Sequence, residues 1–169
     1  EKRLYTSYIA MIFTLSPADE RNFETLIDMI NMSECREDDE NFKNKIDKQF
    51  EFVDYWINGK FPDDLVLDRF YQKTKDECPP SEEQKRLGAF AVKHYKAYKL
   101  AAGKTAKSIL ISCSTRLAPF AIDEVLEITS YDELGLDKLG DELSALFVII
   151  SDIDATFNFF AFVISDDFF

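Results

Sequence analysis

A helical repeat of apolar residues constrains the fold of this chain more than any other feature. Five apolar residues recur at intervals of 4, 4, 3 and 4, and residues at this spacing share one face of a helix: Phe42, Ile46, Phe50, Val53 and Ile57. Gly59 comes just beyond them, where glycine commonly ends a helix. The pattern therefore predicts a long amphipathic helix that buries one face.

The residues before this repeat predict two further helices. Residues 5–15 are mostly apolar and predict a first helix. Ser16 and Pro17 then suit the N-cap and the first position of a second helix. Its apolar face would include Phe23 and Ile30, which are spaced for one side of a helix.

The residues after the repeat also read as helices. Ser81 and Gln84 form a capping-box pattern, and the helix that begins there is expected to run to Gly103 as its C-cap. Three other helices are predicted, over residues 63–75, 106–117 and 122–128.

The C-terminal part has a different pattern. Residues 145–150 form a continuous apolar run of strand length, which is typical of a strand buried on both faces of a parallel sheet. Residues 156–164 predict a helix after it. Because one strand cannot form a sheet alone, we expect a mainly α chain: a compact helical bundle over residues 1–130, then a short β-α flank of something larger over residues 131–169.

The charge of the chain is uneven. With 32 acidic and 20 basic residues, its net charge is −12, which argues against a general binder of nucleic acid or anionic membrane. Residues 81–120 are the exception, with eight basic and two acidic residues. Six of these basic residues are candidates for contacts with phosphate groups or an acidic partner: Lys93, Lys96, Lys99, Lys104, Lys107 and Arg116. The alternative is a solvated face that neutralises acidic helices beside it.

Residue types that support catalysis or metal binding are scarce. The chain has one histidine, His94, too few for a histidine relay, and its three cysteines lie far apart without the CxxC pairing typical of a zinc site. Gly103, Lys104 and Thr105 match the end of a phosphate-binding P-loop, but the first glycine of that motif would have to stand at Tyr98. We therefore expect no catalytic residue, cofactor or metal in this chain, and reduced cysteines.

Three segments of the chain resemble a known protein family. They are residues 94–120 (HYKAYKLAAGKTAKSILISCSTRLAPF), residues 136–160 (LDKLGDELSALFVIISDIDATFNFF) and residues 33–45 (SECREDDENFKNK). These segments are similar to stretches of the TraG/TraD-type coupling ATPases of bacterial conjugation and type IV secretion, in the versions carried by conjugative elements of Gram-positive bacteria. The resemblance covers most of the chain, which makes it more specific than a short motif.

The resemblance implies a fold for both parts of the chain. In this family a RecA-like motor domain carries an inserted all-α domain, with the P-loop before the insertion and the Walker B acids after it. Residues 1–130 would be the all-α domain, and residues 131–169 a partial flank of the motor domain. The full-length protein would be a membrane-anchored hexameric ATPase that uses ATP and magnesium. This chain, which starts at Glu1, would be a piece of it with no enzymatic activity.

The resemblance also implies a function. In the family the all-α domain faces the cytoplasm at the inner membrane and recognises the relaxase, accessory relaxosome proteins and DNA. We therefore expect this chain to dock relaxase or accessory protein, with a local, salt-sensitive DNA contact and no direct membrane contact. The alternative is a helical protein–protein adaptor that binds a basic partner without contacting DNA, which the acidic net charge favours.

Overall fold

Most of the first 131 residues are described by the computed structural model. The described residues are 1–33, 42–101 and 103–131, with the single positions Asp141, Ala145 and Phe147. The chain divides into two units, Glu1–Tyr131 and Asp132–Phe169, and all the described helices belong to the first.

The predicted C-terminal flank falls on the second unit. The strand expected over residues 145–150 and the helix expected over residues 156–164 lie outside the described residues, apart from Ala145 and Phe147. The assignment of residues 131–169 to a motor domain therefore stays a prediction.

The described part of the chain is helical. It contains seven α-helices and two short 3-10 helices, and no strand occurs there. The mainly α class is therefore confirmed for these residues, and none of these helices is long and apolar enough to cross a membrane. The α-helices are α1 (Lys2–Leu15), α2 (Phe23–Asn31), α3 (Lys45–Asn58), α4 (Arg69–Glu77), α5 (Glu82–Lys99), α6 (Gly103–Leu117) and α7 (Asp123–Thr129), and the 3-10 helices are Ala18–Glu20 and Ala118–Ala121.

Helix α1 lies at the centre of the described unit. It packs most extensively on α5 and also contacts α2, while α5 packs on α3 and α2 packs on α6. Its side chains Leu4, Tyr8 and Met11 are completely buried. Of the apolar repeat predicted for α3, Ile46, Phe50 and Val53 are buried and Ile57 is half-buried, whereas Phe42 lies before the helix, which begins at Lys45. The Phe50 ring stacks on Tyr95 of α5 with centroids 3.8 Å apart.

A glycine lets α5 approach two other helices closely. A Cβ atom at Gly88 would stand 3.1 Å from Ile57 Cγ2 and 3.1 Å from Val53 Cγ1 on α3. It would also stand 3.4 Å from Thr14 Cγ2 on α1. The missing side chain therefore allows α1, α3 and α5 to meet at this point.

The helix start predicted at Ser16 and Pro17 is wrong. A 3-10 helix follows Pro17, and α2 begins later, at Phe23. Asn22 is its N-cap, because its side-chain oxygen accepts a hydrogen bond of 3.1 Å from the Thr25 N–H. The short helix expected over residues 63–75 also begins later, at Arg69.

The role predicted for Gly103 is wrong as well. Helix α5 ends at Lys99 with Leu100 as its C-cap, and Gly103 is the first residue of α6. Among the described glycines, only Gly59 adopts a positive φ, at 64°, and it caps α3 as expected. Leu100 ends its helix in a right-handed conformation, which does not require glycine.

Candidate functional site

A groove between α3 and α5 contains two of the six predicted basic residues, Lys96 and Lys99. It encloses about 470 Å³. Apolar side chains form part of its lining: Phe42, Phe50, Val92, Tyr95 and Leu100. Charged side chains complete it: Lys43, Asp47, Glu51, Asp54, Lys96 and Lys99. The groove therefore combines apolar surface with equal numbers of cations and carboxylates.

The two α5 lysines of the groove pair with carboxylates of α3. Lys96 Nζ lies 2.6 Å from Asp54 Oδ2, and Lys99 Nζ lies 2.9 Å from Asp47 Oδ1. A third pair joins Lys43 to Glu51 at 2.5 Å, and this bond raises the pKa of Lys43. Lys96 and Lys99 therefore neutralise carboxylates of α3, which is the arrangement described by the alternative for the basic residues.

Asp47 is the buried member of this network, with only 6% of its surface exposed. Its Oδ2 atom accepts a hydrogen bond of 3.0 Å from the Asn44 N–H, which closes a capping box at the start of α3. Its Oδ1 atom accepts one of 2.9 Å from the Tyr95 hydroxyl. The Lys99 ammonium is the third donor to this carboxylate. Hydrogen bonds and an opposite charge of this kind offset the cost of burying a charged group.

Burial keeps the hydroxyl of Tyr95 protonated. Desolvation raises its pKa well above the ordinary tyrosine range, and nearby Tyr8 and Asp47 add to the shift. The hydroxyl is a donor at neutral pH, as any tyrosine hydroxyl is, and the raised pKa keeps it a donor at alkaline pH as well. It serves to position Asp47 and to join α5 to α3.

The other four predicted basic residues lie outside this groove. Lys93 is exposed on α5, and Lys104 is exposed in the first turn of α6. Within the described part of the chain, neither of them forms an ion pair. Arg116, near the end of α6, pairs with Glu1 at 3.3 Å, and Lys107 is exposed on α6. The six residues are therefore divided between two helices and differ in their pairing.

The acidic residues of the groove were not predicted from the sequence. Asp47, Glu51 and Asp54 recur at intervals of 4 and 3, which places them on one helix face. That spacing could have indicated a face complementary to a basic helix. Nothing in the spacing, however, specifies that the basic helix is α5.

The histidine and the described cysteines have no site of their own. His94 is half-buried, and its ring lies 4.4 Å from that of Phe90 on α5. Cys113 is buried, and desolvation raises the pKa of its thiol, whereas Cys78 is exposed. Cys35 lies outside the described residues. In the ranges that the structure describes, no cluster of three or more metal-binding side chains occurs.

Comparisons with known proteins do not extend this description. No protein-family model, no curated protein and no solved structure matches the chain. The resemblance to coupling ATPases therefore stays an expectation from the sequence.

Proposed function

We propose that this chain is a substrate-docking domain of a conjugative coupling protein. It would bind the relaxase or an accessory relaxosome protein through the groove between α3 and α5. The observation that carries the proposal is the composition of this groove, in which charges of both signs surround apolar and aromatic side chains. Interfaces that bind proteins commonly combine an apolar centre with a polar rim in this way.

Two of the three ion pairs in the groove, Lys96–Asp54 and Lys43–Glu51, support docking because each has an exposed lysine and can be exchanged. In the Lys96–Asp54 pair, the lysine side chain is 67% exposed. An exposed ion pair of this kind contributes only about 0–1 kcal/mol to stability. A partner that offers its own charges would therefore lose little by replacing them. Leu100, which lines the groove and is 85% exposed, would supply apolar contact area to the partner.

A DNA contact, where one forms, is assigned to Lys93 and Lys104. Both are exposed, and within the described residues both lack a carboxylate partner. Lys96 and Lys99 would first have to leave Asp54 and Asp47. We therefore propose a local contact of few phosphates, which salt would weaken in proportion to their number.

The second candidate function is a protein–protein adaptor without DNA contact. The pairing of Lys96, Lys99 and Arg116 within the chain favours it, because this leaves fewer cations for phosphates. A basic partner would also be attracted by the net charge of −12.

Capture of purified partners separates the two candidates. The immobilised chain is incubated with the relaxase and accessory protein of the same conjugative element, with and without nuclease. Capture that survives nuclease supports docking of protein, and no capture under either condition would overturn it.

A DNA titration of the chain at two salt concentrations then tests the nucleic-acid contact. Replacing Lys93 and Lys104 by Met should lower the slope of log affinity against log salt by up to about 2 for duplex DNA. A matched control replaces Lys45 and Lys48 of α3, which also form no ion pair in the described part of the chain. Equal losses in both double variants would remove the specific DNA role.

A further inference from the structure

A second pocket lies between α1 and α2 and shares no residue with the groove described above. It encloses about 240 Å³ and includes Ile9 and Phe13 of α1, Phe23 and Leu26 of α2, and Arg21. This volume is below the range of about 300–1,000 Å³ that is usual for cofactor sites. The pocket therefore suits one bulky side chain rather than a cofactor.

The α1 side of this pocket is exposed although the helix is otherwise mostly buried. Ile9 and Phe13 stand one turn apart and are 45% and 47% exposed, whereas Met11 and Ile12 between them are buried. These two side chains therefore offer apolar surface to a ligand in the pocket.

Arg21 gives the pocket a charge preference. Its guanidinium carbon lies 5.4 Å from the centre of the Phe13 ring, and its Nε–H donates a hydrogen bond of 3.1 Å to the Ser16 carbonyl. These contacts fix the guanidinium beside the apolar surface. Neither Asp19 nor Glu20, its neighbours in sequence, pairs with it, and no other carboxylate of the described residues does so.

We infer that this pocket binds a segment of a protein partner in which an apolar side chain stands next to a carboxylate. The apolar side chain would rest against Ile9, Phe13 and Leu26, and the carboxylate would accept the remaining N–H donors of Arg21. Guanidinium and carboxylate groups match in geometry and form strong charge-assisted hydrogen bonds. Because the whole chain carries −12, this recognition is local to Arg21 and is not driven by long-range attraction.

The inference goes beyond the proposed docking through the α3–α5 groove, because it assigns an acidic and apolar ligand to a different surface. The two can fail separately. Substitutions at Arg21 leave the α3–α5 groove intact, and substitutions in the groove leave this pocket intact.

N-acetylphenylalanine is a suitable probe because it carries an aromatic ring and a carboxylate. It is titrated into the full chain labelled at its isoleucine methyl groups, in parallel with N-acetylphenylalaninamide, which has the same ring without the charge. We expect saturable shifts at Ile9 and Ile12, with the amide binding about tenfold more weakly.

Variants locate the charge preference. Arg21→Gln should reduce binding of the acid to that of the amide, whereas Arg3→Gln, an exposed change on α1, should leave it unchanged. Equal binding of acid and amide to the wild type, or binding of the acid that survives Arg21→Gln, would overturn the inference. The absence of any saturable shift at Ile9 would overturn it too.

Discussion

The hydroxyl of Tyr95 donates a hydrogen bond of 2.9 Å to the carboxylate of Asp47. This bond joins the second half of α5 to the first turn of α3, and both residues are buried. The ring of Tyr95 stacks on Phe50 of the same α3 helix. A polar contact and an apolar contact therefore fix the distance between the two helices that form the groove.

Loss of the Tyr95 hydroxyl should destabilise the fold. In Tyr95→Phe the ring stacking persists, but Asp47 loses one of three donors. We expect the free energy of unfolding in urea to fall by about 1 kcal/mol, since Lys99 and Asn44 still serve the carboxylate. Tyr71→Phe is the matched control, because within the described residues its hydroxyl makes no hydrogen bond. Equal losses in the two variants would show that the bond to Asp47 does not stabilise the fold.

The two carboxylates of α3 that pair with α5 should differ in importance. Asp47→Ala removes the capping-box bond accepted from the Asn44 N–H and leaves a buried tyrosine hydroxyl unpaired, so a loss of about 2–3 kcal/mol in unfolding free energy is expected. Asp54→Ala breaks a mostly exposed pair and should cost less than about 1 kcal/mol. Thermal and urea unfolding of both variants measure the difference, and the reverse order would contradict the network described around Asp47.

Alkaline pH should unfold the chain through the buried Tyr95 and the half-buried Tyr5 and Tyr71. Burial raises the pKa of Tyr71 to about 12, and it raises those of Tyr5 and Tyr95 further. In the unfolded chain these hydroxyls ionise near pH 10. Above that pH the unfolded state binds fewer protons than the folded state, so the free energy of unfolding falls as pH rises.

The slope of this fall should approach about 1.4 kcal/mol per pH unit for each tyrosine that stays protonated in the fold. Below pH 10 the contribution is fully present, and it is lost progressively up to the folded-state pKa. Tyrosinate absorbance and helical circular dichroism should therefore change together. Complete ionisation of the tyrosines with helicity retained would contradict the burial of Tyr95.

Gly88→Ala should destabilise the chain, although alanine is the better helix former. The added methyl group would meet Ile57 and Val53, both 3.1 Å away and both β-branched, so neither can turn aside freely. The strain should exceed the gain in helix propensity, with a net loss of about 1 kcal/mol. Val53→Ala added to Gly88→Ala should partly relieve the strain, and a simple sum of the two losses would contradict this explanation.

Local signals in the sequence predicted much of the fold. The part of the α3 repeat from Ile46 to Ile57, the C-cap Gly59 and the capping box of Ser81 with Gln84 occur as predicted, because each depends on residues within one or two turns. The prediction that Gly103 caps α5 was wrong, because a glycine after a helical pattern can end one helix or begin the next. The outcome depends on where α5 stops packing, which is not a local property.

The candidate site could be predicted only in part. Lys96 and Lys99 were identified from the local concentration of basic residues, and both lie in the groove. Their partners Asp54 and Asp47 are 42 and 52 residues away along the chain, so only the packing of α3 on α5 brings them together. Residue spacing within one helix contains no information about such a pairing.

The affinity of the chain for a conjugative relaxase tests the central proposal most directly. Leu100→Ser changes an exposed residue of the groove, and Ile111→Ser, which is 59% exposed on α6, is the matched control outside it. Isothermal titration of nuclease-treated proteins should show binding that weakens about tenfold in Leu100→Ser and less than about twofold in Ile111→Ser. Equal affinities in the wild type and Leu100→Ser would contradict docking through the groove.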